Sequence, residues 1–305
     1  MITSPAAAEP GFNRPPETYQ RVGRVLGPAV FALMLAVEPW QQAMDPVAWH
    51  VAAVGLWMAI WWATEAIPVA ATAFLPLVVF EPLGVAKIGE AAAHYANPII
   101  YLFLGGFMLA LALERWNLHR RIALAVLERT GTDGRRLVGG FMLVCALLSM
   151  WMTNTSTTMM LLPIVLSVIG VIRDNVPDLS EKARSDFAVA MLLGLAYGAS
   201  IGGLATLVGT PPNALLAGYL AANYGIEISF ARWMLVGVPV SAAMLPLAWL
   251  VLTRLLFRVD FPESAAVQAH LHALRAQMGP MSAAEKRVAA IFLVVIAGWM
   301  VGQPL

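Results

Sequence analysis

The chain has 305 residues, 60% of them hydrophobic, with 19 basic and 18 acidic side chains and a mean hydropathy of +0.74. Its 12% of charged residues is about half the roughly 25% of soluble domains, which excludes an ordinary soluble fold and indicates an all-α integral membrane protein. A net charge of +1 offers no field for nucleic acid, and a single cysteine, Cys145, provides neither a disulfide framework nor a thiolate metal site.

Residues 1–20 contain Pro5, Pro10, Pro15 and Pro16 with Glu9 and Glu17, and no basic region followed by an apolar core. They read as a disordered cytoplasmic tail, not a signal peptide. A crossing of the hydrocarbon needs about 20 apolar residues. Val25–Val37 with its flanks makes the first and Val47–Ala63 the second. Pro68 ends that helix after Thr64-Glu65-Ala66-Ile67, and Val69–Val79 is predicted to form a third, closed by Pro82. Pro98–Leu113 is the fourth, stopped by Glu114 and Arg115, and 233–253 and 288–305 are each expected to cross once.

Two stretches resist this count. Residues 137–172 are 36 without a charge, about 54 Å as helix, too long for one upright crossing and short for two with a turn. Residues 187–226 are another 40. Of the 19 Lys and Arg residues, 17 fall on one side if 137–172 enters and leaves by the same face while 187–226 crosses once, leaving only Lys87 and Arg232 opposite. The positive-inside tendency then makes that side, and the N-terminus, cytoplasmic. The first stretch is accordingly expected to be a re-entrant hairpin, giving about six to seven crossings in all.

The middle of the hairpin reads Ser149-Met150-Trp151-Met152 followed by six polar residues, Thr153 to Thr158. Polar backbone within a membrane is tolerated only where protein or a watery cavity covers it. The second stretch is interrupted by Gly198, Gly202, Gly203, Gly209 and then Thr210-Pro211-Pro212-Asn213. Two half-helices joined by irregular backbone are expected there, although glycines four apart also suit close helix packing. Half-helix N-termini favour an anion, whereas freed carbonyls and hydroxyl or amide oxygens favour a small hard cation such as sodium. Neither stretch holds a Lys or Arg, so an anion there depends on dipoles and on bound cations, which couples the two.

Ser149 to Pro163 resembles the Ser-Asn-Thr hairpin signature of the divalent anion:sodium symporters, the dicarboxylate, citrate and sulfate transporters. Ile201-Gly202-Gly203 through Gly209-Thr210-Pro211-Pro212-Asn213 resembles that family's second signature, and Thr64–Pro68 and Leu102–Leu124 are similar to family segments in the same order. The resemblance covers about residues 20 to 300. It implies an elevator-type, sodium-coupled carrier of di- or tricarboxylates or a related divalent anion in the inner cell membrane, working as a homodimer within the lipid bilayer. It also implies that Ser149, Thr153, Asn154 and backbone near Gly203 form a sodium site. Asn154 and Thr155, with Thr206, Pro212 and Asn213, would contact a substrate carboxylate. Thr153 stands where the family usually has serine. By the same analogy residues 21–135 form a scaffold, 136–258 half of a transport domain, 259–287 a cytoplasmic amphipathic linker, and 288–305 the start of a second, inverted repeat. This chain contains the first set of signatures only, so a fragment of a two-repeat carrier is the preferred reading. An anion exchanger or proton-coupled carrier of this architecture, and an inactive half-transporter, are the alternatives.

Other residues carry less. Glu65 reads as an interfacial structural residue in preference to a proton-coupling group. His270 and His272 lack evident metal partners and suit a surface amphipathic helix within 264–278. The ten tryptophans read as interface anchors and packing residues. No Ser-His-Asp set, metal cluster or paired intramembrane carboxylate marks an enzyme.

Overall fold

The computed structural model describes residues 17–40, 44–176 and 179–302, and among them the chain is helical, without strands. By its internal contacts it divides at Asn97/Pro98 into two compact units.

The first unit holds α1 (Thr18–Val37), a 3-10 turn at Glu38–Trp40, α2 (Pro46–Thr64), α3 (Val69–Thr72), α4 (Leu75–Val79) and α5 (Ile88–Tyr95). Helix α1 begins inside the stretch expected to be a tail, and residues 1–16 lie outside the described residues. Asp45 caps α2 by accepting from the Val47 N–H at 2.9 Å. Gly23 and Gly27 let α1 approach α2: a Cβ at Gly23 would stand 2.0 Å from the Thr64 hydroxyl oxygen, and one at Gly27 2.5 Å from Trp57. Trp57 and Trp61 of α2 both face Gly27 of α1, and Trp57 meets Phe31 of α1 at 5.0 Å, so these tryptophans pack helices together. Glu65 is exposed in the left-handed conformation (φ 46°) and ends α2, a structural role.

The expected third crossing is not one continuous helix. Val69–Val79 is two short helices divided at Ala73 and Phe74, at most about 16 Å of helix, half of a hydrocarbon core. Apolar content identified the stretch, but length decides whether it spans.

The second unit comprises α6 (Pro98–Arg115), α7 (Leu118–Thr130), α8 (Gly134–Ser149), α9 (Asn154–Asn175), α10 (Glu181–Gly203), α11 (Pro211–Tyr224), α12 (Phe230–Leu250) with a π-helical extension to Leu256, α13 (Ala265–Ala276) and α14 (Ala283–Val301). Its core gathers Leu124 and Leu127 of α7, Phe141 and Met142 of α8, Leu161 and Val165 of α9, and Phe187 and Met191 of α10, all essentially inaccessible. The closest pair is α8 with α10. A Cβ at Gly202 would lie 2.3 Å from the Ala146 carbonyl, and one at Gly198 2.7 Å from that of Met142. Both readings of this glycine run therefore hold: Gly198 and Gly202 bring the helices into backbone contact, and the chain breaks immediately afterwards.

Six stretches are long and apolar enough to cross a membrane: Thr18–Val37, Pro46–Thr64, Ile88–Arg115, Asn154–Asn175, Glu181–Gly203 and Phe230–Leu256. Helix α9, at 22 residues or about 33 Å, is longer than a limb that stops partway needs to be, while α8 has 16 residues. Helix α14 starts before the expected crossing at 288–305, with Glu285, Lys286 and Arg287 in its first turns, and its apolar run after them is helical to Val301; residues 303–305 lie outside the described residues. Helix α13 is amphipathic as expected, but Val267 and Leu271 are fully buried against the unit's own core. Its apolar side is thus satisfied by protein and not by lipid. His270 shares a hydrogen bond of 2.7 Å with Ser167, and His272 lies 3.7 Å from Glu128.

Candidate functional site

Both long uncharged stretches break where polar and helix-breaking residues concentrate. Helix α8 ends at Ser149, four residues turn, and α9 starts at Asn154. Thr153 is the N-cap: its hydroxyl oxygen accepts from the Ser156 N–H at 3.2 Å while donating to Ser156 Oγ at 3.0 Å. Ser149 is fully buried and donates to Asn154 Oδ1 at 2.7 Å; Thr158 donates to the Asn154 carbonyl at 2.8 Å. Asn154 is thereby held from both ends.

The second interruption spans residues 204–210 between α10 and α11. Thr206, fully buried, donates to the Met150 carbonyl at the tip and accepts from the Gly209 N–H at 3.1 Å. Asn213 divides its amide between the carbonyls of Gly203 (2.9 Å) and Thr206 (2.8 Å). Helix α12 holds the same backbone from behind: Ser241 donates to the Ile201 carbonyl at 2.7 Å, and Trp233 Nε1 to that of Leu204 at 3.0 Å. Most carbonyls freed by the break are thus satisfied, as their burial demands.

The two interruptions interlock through glycine. A methyl at Gly203 would stand 2.5 Å from Asn154 Oδ1, and one at Gly209 would meet the Gly203 carbonyl at 2.5 Å and the Ser149 carbonyl at 2.9 Å. Only hydrogen fits at either place. Three oxygen-bearing residues are thereby joined in sequence: Ser149 Oγ bonds to Asn154 Oδ1, Asn154 Oδ1 lies against Gly203, and the Gly203 carbonyl lies against Gly209. Each retains acceptor capacity. The Ser149 proton is directed at Asn154, leaving hydroxyl lone pairs, and each of the two carbonyl-type oxygens accepts one hydrogen bond and has a second lone pair. Such a set of neutral oxygens suits a hard monovalent cation. Among the described residues no group of three or more His, Cys, Asp and Glu converges anywhere.

The helix starts differ in what they can offer an anion. Asn154 and Thr155 open α9 with backbone N–H groups in the positions that a helix leaves unpaired. Helix α11 opens with Pro211 and Pro212, which have no N–H, and the next N–H, of Asn213, bonds to the Thr210 carbonyl at 3.2 Å. The expectation that both half-helix N-termini present donors is therefore corrected. Helix α11 contributes its dipole, whereas α9 contributes donors as well.

Of the predicted site residues, Ser149, Asn154 and Gly203 come together. Thr153 lies beside them with its hydroxyl engaged as a cap. Thr206 and Asn213 are buried ties within the break, not groups facing an open cavity, and Thr155 and Pro212 are exposed at the two helix starts. Two residues were missed. Gly209 makes as close an approach as Gly203, signalled in sequence only by its place before Thr210-Pro211-Pro212. Thr157 is fully buried with an unpartnered hydroxyl; its spacing of four from Thr153 was the available signal.

A family profile described as "Sodium:sulfate symporter transmembrane region" matches residues 20–305. The chain is 39% identical over 289 residues to a protein of Staphylococcus saprophyticus named sodium-dependent dicarboxylate transporter SdcS, covering 94% of this chain and 56% of that one. It is 38% identical over 295 residues to the protein of the same name from Staphylococcus aureus strain MRSA252, covering 94% and 55%. The chain thus spans about half the length of the curated relatives it matches, and these relatives are named as transporters, not enzymes. With its helical interruptions at both signature segments, the chain belongs to the sodium:sulfate symporter family of membrane transporters.

Proposed function

We propose that the chain takes part in sodium-coupled transport of a dicarboxylate, with tricarboxylates as related candidates. Sodium sits among Ser149 Oγ, Asn154 Oδ1 and Gly203 O, with Thr153 at its edge, and one substrate carboxylate meets the start of α9 at Asn154 and Thr155. Thr206 and Asn213 hold the break in register, and Pro212 shapes the far wall. The observation that supports this most is the close packing of Gly203 and Gly209 against Ser149 and Asn154, at the residue that opens α9. A cation there supplies the counter-charge that the arginine- and lysine-free stretches withhold, so anion binding depends on it.

In this reading 137–172 is a re-entrant hairpin opening to the cytoplasmic side, the N-terminus is cytoplasmic, and the protein resides in the inner membrane. Residues 136–258 move against a scaffold built from 21–135, in an elevator motion within a homodimer. The chain supplies one cation site and one side of the substrate cavity; the sequence by which its relatives exceed it supplies the rest. Succinate counterflow in vesicles carrying the chain tests the reading. Saturable uptake lost when choline replaces sodium supports symport, and uptake indifferent to that exchange assigns an exchanger or proton-coupled carrier instead.

A further inference from the structure

Away from the ion site, two clefts flank the turn from α6 to α7. One, of about 470 Å³, is lined by Arg115, Trp116, Arg120, Arg121, Gln277 and Glu285 among others. Its neighbour, of about 500 Å³, shares Asn117 and Arg120 with it. Asn117 adopts the left-handed conformation (φ 55°), and the turn it makes brings Arg115 at the end of α6 and Arg120 and Arg121 at the start of α7 to one space.

The charges there do not cancel. Arg121 is committed: its Nε donates to Glu285 at 2.8 Å, and its terminal nitrogens reach the carbonyls of Gly279 (2.9 Å) and Met278 (3.4 Å). Glu285 is saturated in turn, since it also accepts from the Ser282 N–H at 2.6 Å. Arg115 forms no ion pair among the described residues, and Arg120 has a buried Nε without a hydrogen-bond partner. Glu114 borders only the adjoining cleft.

The cleft also sits above an apolar track. Helices α6 and α14 pack on each other, and Arg115 at the end of α6 and Glu285 at the start of α14 line the same cleft. On α6, Leu104, Met108 and Leu111 are 54%, 64% and 63% exposed, and their spacing places them in line with Arg115 on one helix face. Trp116, 44% exposed, stands at the polar edge, where indole rings anchor at membrane surfaces. A cationic cleft at the end of an exposed apolar stripe matches an amphiphile with an anionic head.

We propose that this cleft binds the phosphate of an anionic phospholipid headgroup through Arg115 and Arg120, with an acyl chain along Leu111, Met108 and Leu104. A free phosphate shares the headgroup chemistry but would leave that stripe unused. The inference does not rest on the ion site. Native mass spectrometry of the purified chain equilibrated with equal phosphatidylglycerol and phosphatidylcholine tests it. Retention of phosphatidylglycerol in preference to phosphatidylcholine is expected. Each arginine contributes about fivefold, so R115Q/R120Q loses the preference by roughly 25-fold, while R115K/R120K keeps most of it. The exposed single change R115Q carries the test alone if the double variant does not fold. R173Q, at an exposed pair with Asp174, leaves the preference unchanged. Equal retention of both lipids by the unaltered chain, or equal losses in R173Q and R115Q, overturns the proposal. So does full displacement of phosphatidylglycerol by millimolar inorganic phosphate, which assigns the site to a free anion.

Discussion

The two interruptions of the second unit solve one problem in different ways. The tip between α8 and α9 is four residues long, carries a proper N-cap in Thr153, and starts its second helix on residues that keep their N–H groups. The break between α10 and α11 is longer, starts its second helix on two prolines, and has its carbonyls tied by Asn213, Trp233 and Ser241. Donors remain at the first; oxygens are fixed in place at the second. The lesson is that a pair of broken helices need not be symmetric in charge preference. In the proposed function the anion is drawn to the tip, and the cation is held where the tip's side chains meet the backbone of the break.

Glycine 209 is where that comparison breaks most easily. Gly209→Ala places a methyl against the backbone carbonyls of Gly203 and Ser149, neither of which is a flexible chain end. We expect a loss of about 3 kcal/mol in thermal or denaturant unfolding, and no sodium response in whatever remains folded. Asn213→Ala comes next, because two buried carbonyls lose the side-chain amide that donates to both. About 2–3 kcal/mol of destabilisation is expected, with Ser149 and Asn154 untouched. Thr206→Val removes a single hydroxyl that spans the two interruptions, between the Met150 carbonyl and the Gly209 N–H. That change should cost about 1–2 kcal/mol.

At the tip the expected effects are smaller and separable. Thr153→Ala loses the cap, about 1 kcal/mol, whereas Thr153→Ser keeps it; a sodium affinity altered by the serine variant alone would place the threonine methyl at the ion. Thr155→Ala, at an exposed position, should leave stability within about 0.5 kcal/mol and weaken only carboxylate binding, read as a raised half-saturation for succinate.

A control far from both interruptions is the Arg121–Glu285 pair. Arg121 holds the Glu285 carboxyl below its ordinary value of 4.5. Its contribution is therefore present above that pH and lost as the pH falls through the lowered folded value. Acid unfolding of Glu285→Gln should lack that component, without change in the sodium response at neutral pH.

Much of this was legible in the residues. Six consecutive polar side chains in an uncharged stretch pointed to an interruption, which the structure places just before them, at 150–153, with five of the six opening α9; glycines followed by Pro-Pro-Asn pointed to the break at 204–210. The family likeness then named Ser149, Thr153, Asn154 and Gly203; Ser149, Asn154 and Gly203 come together, and Thr153 is engaged as a cap beside them. What stayed hidden depends on distance in three dimensions. Asn213 shows its type in the sequence but not that its amide ties two carbonyls, and Gly209 looked like one glycine among several until its neighbours were seen. Thr157 is polar in composition and core in position. Val69–Val79 failed for a simpler reason: hydropathy ranks a segment without measuring whether its helix is continuous, and the chain turns at Ala73 and Phe74.

The most direct measurement is thermal unfolding of the purified chain in sodium chloride and in choline chloride at equal ionic strength, for the unaltered sequence and for Asn154→Ala. A cation bound only by the folded state stabilises it by about 2.7 kcal/mol at a hundredfold excess over its Kd. The account predicts a midpoint that rises with sodium, saturates, and no longer responds once Asn154 is alanine. Identical midpoints in the two salts, or a sodium effect of the same size in Asn154→Ala, would contradict it.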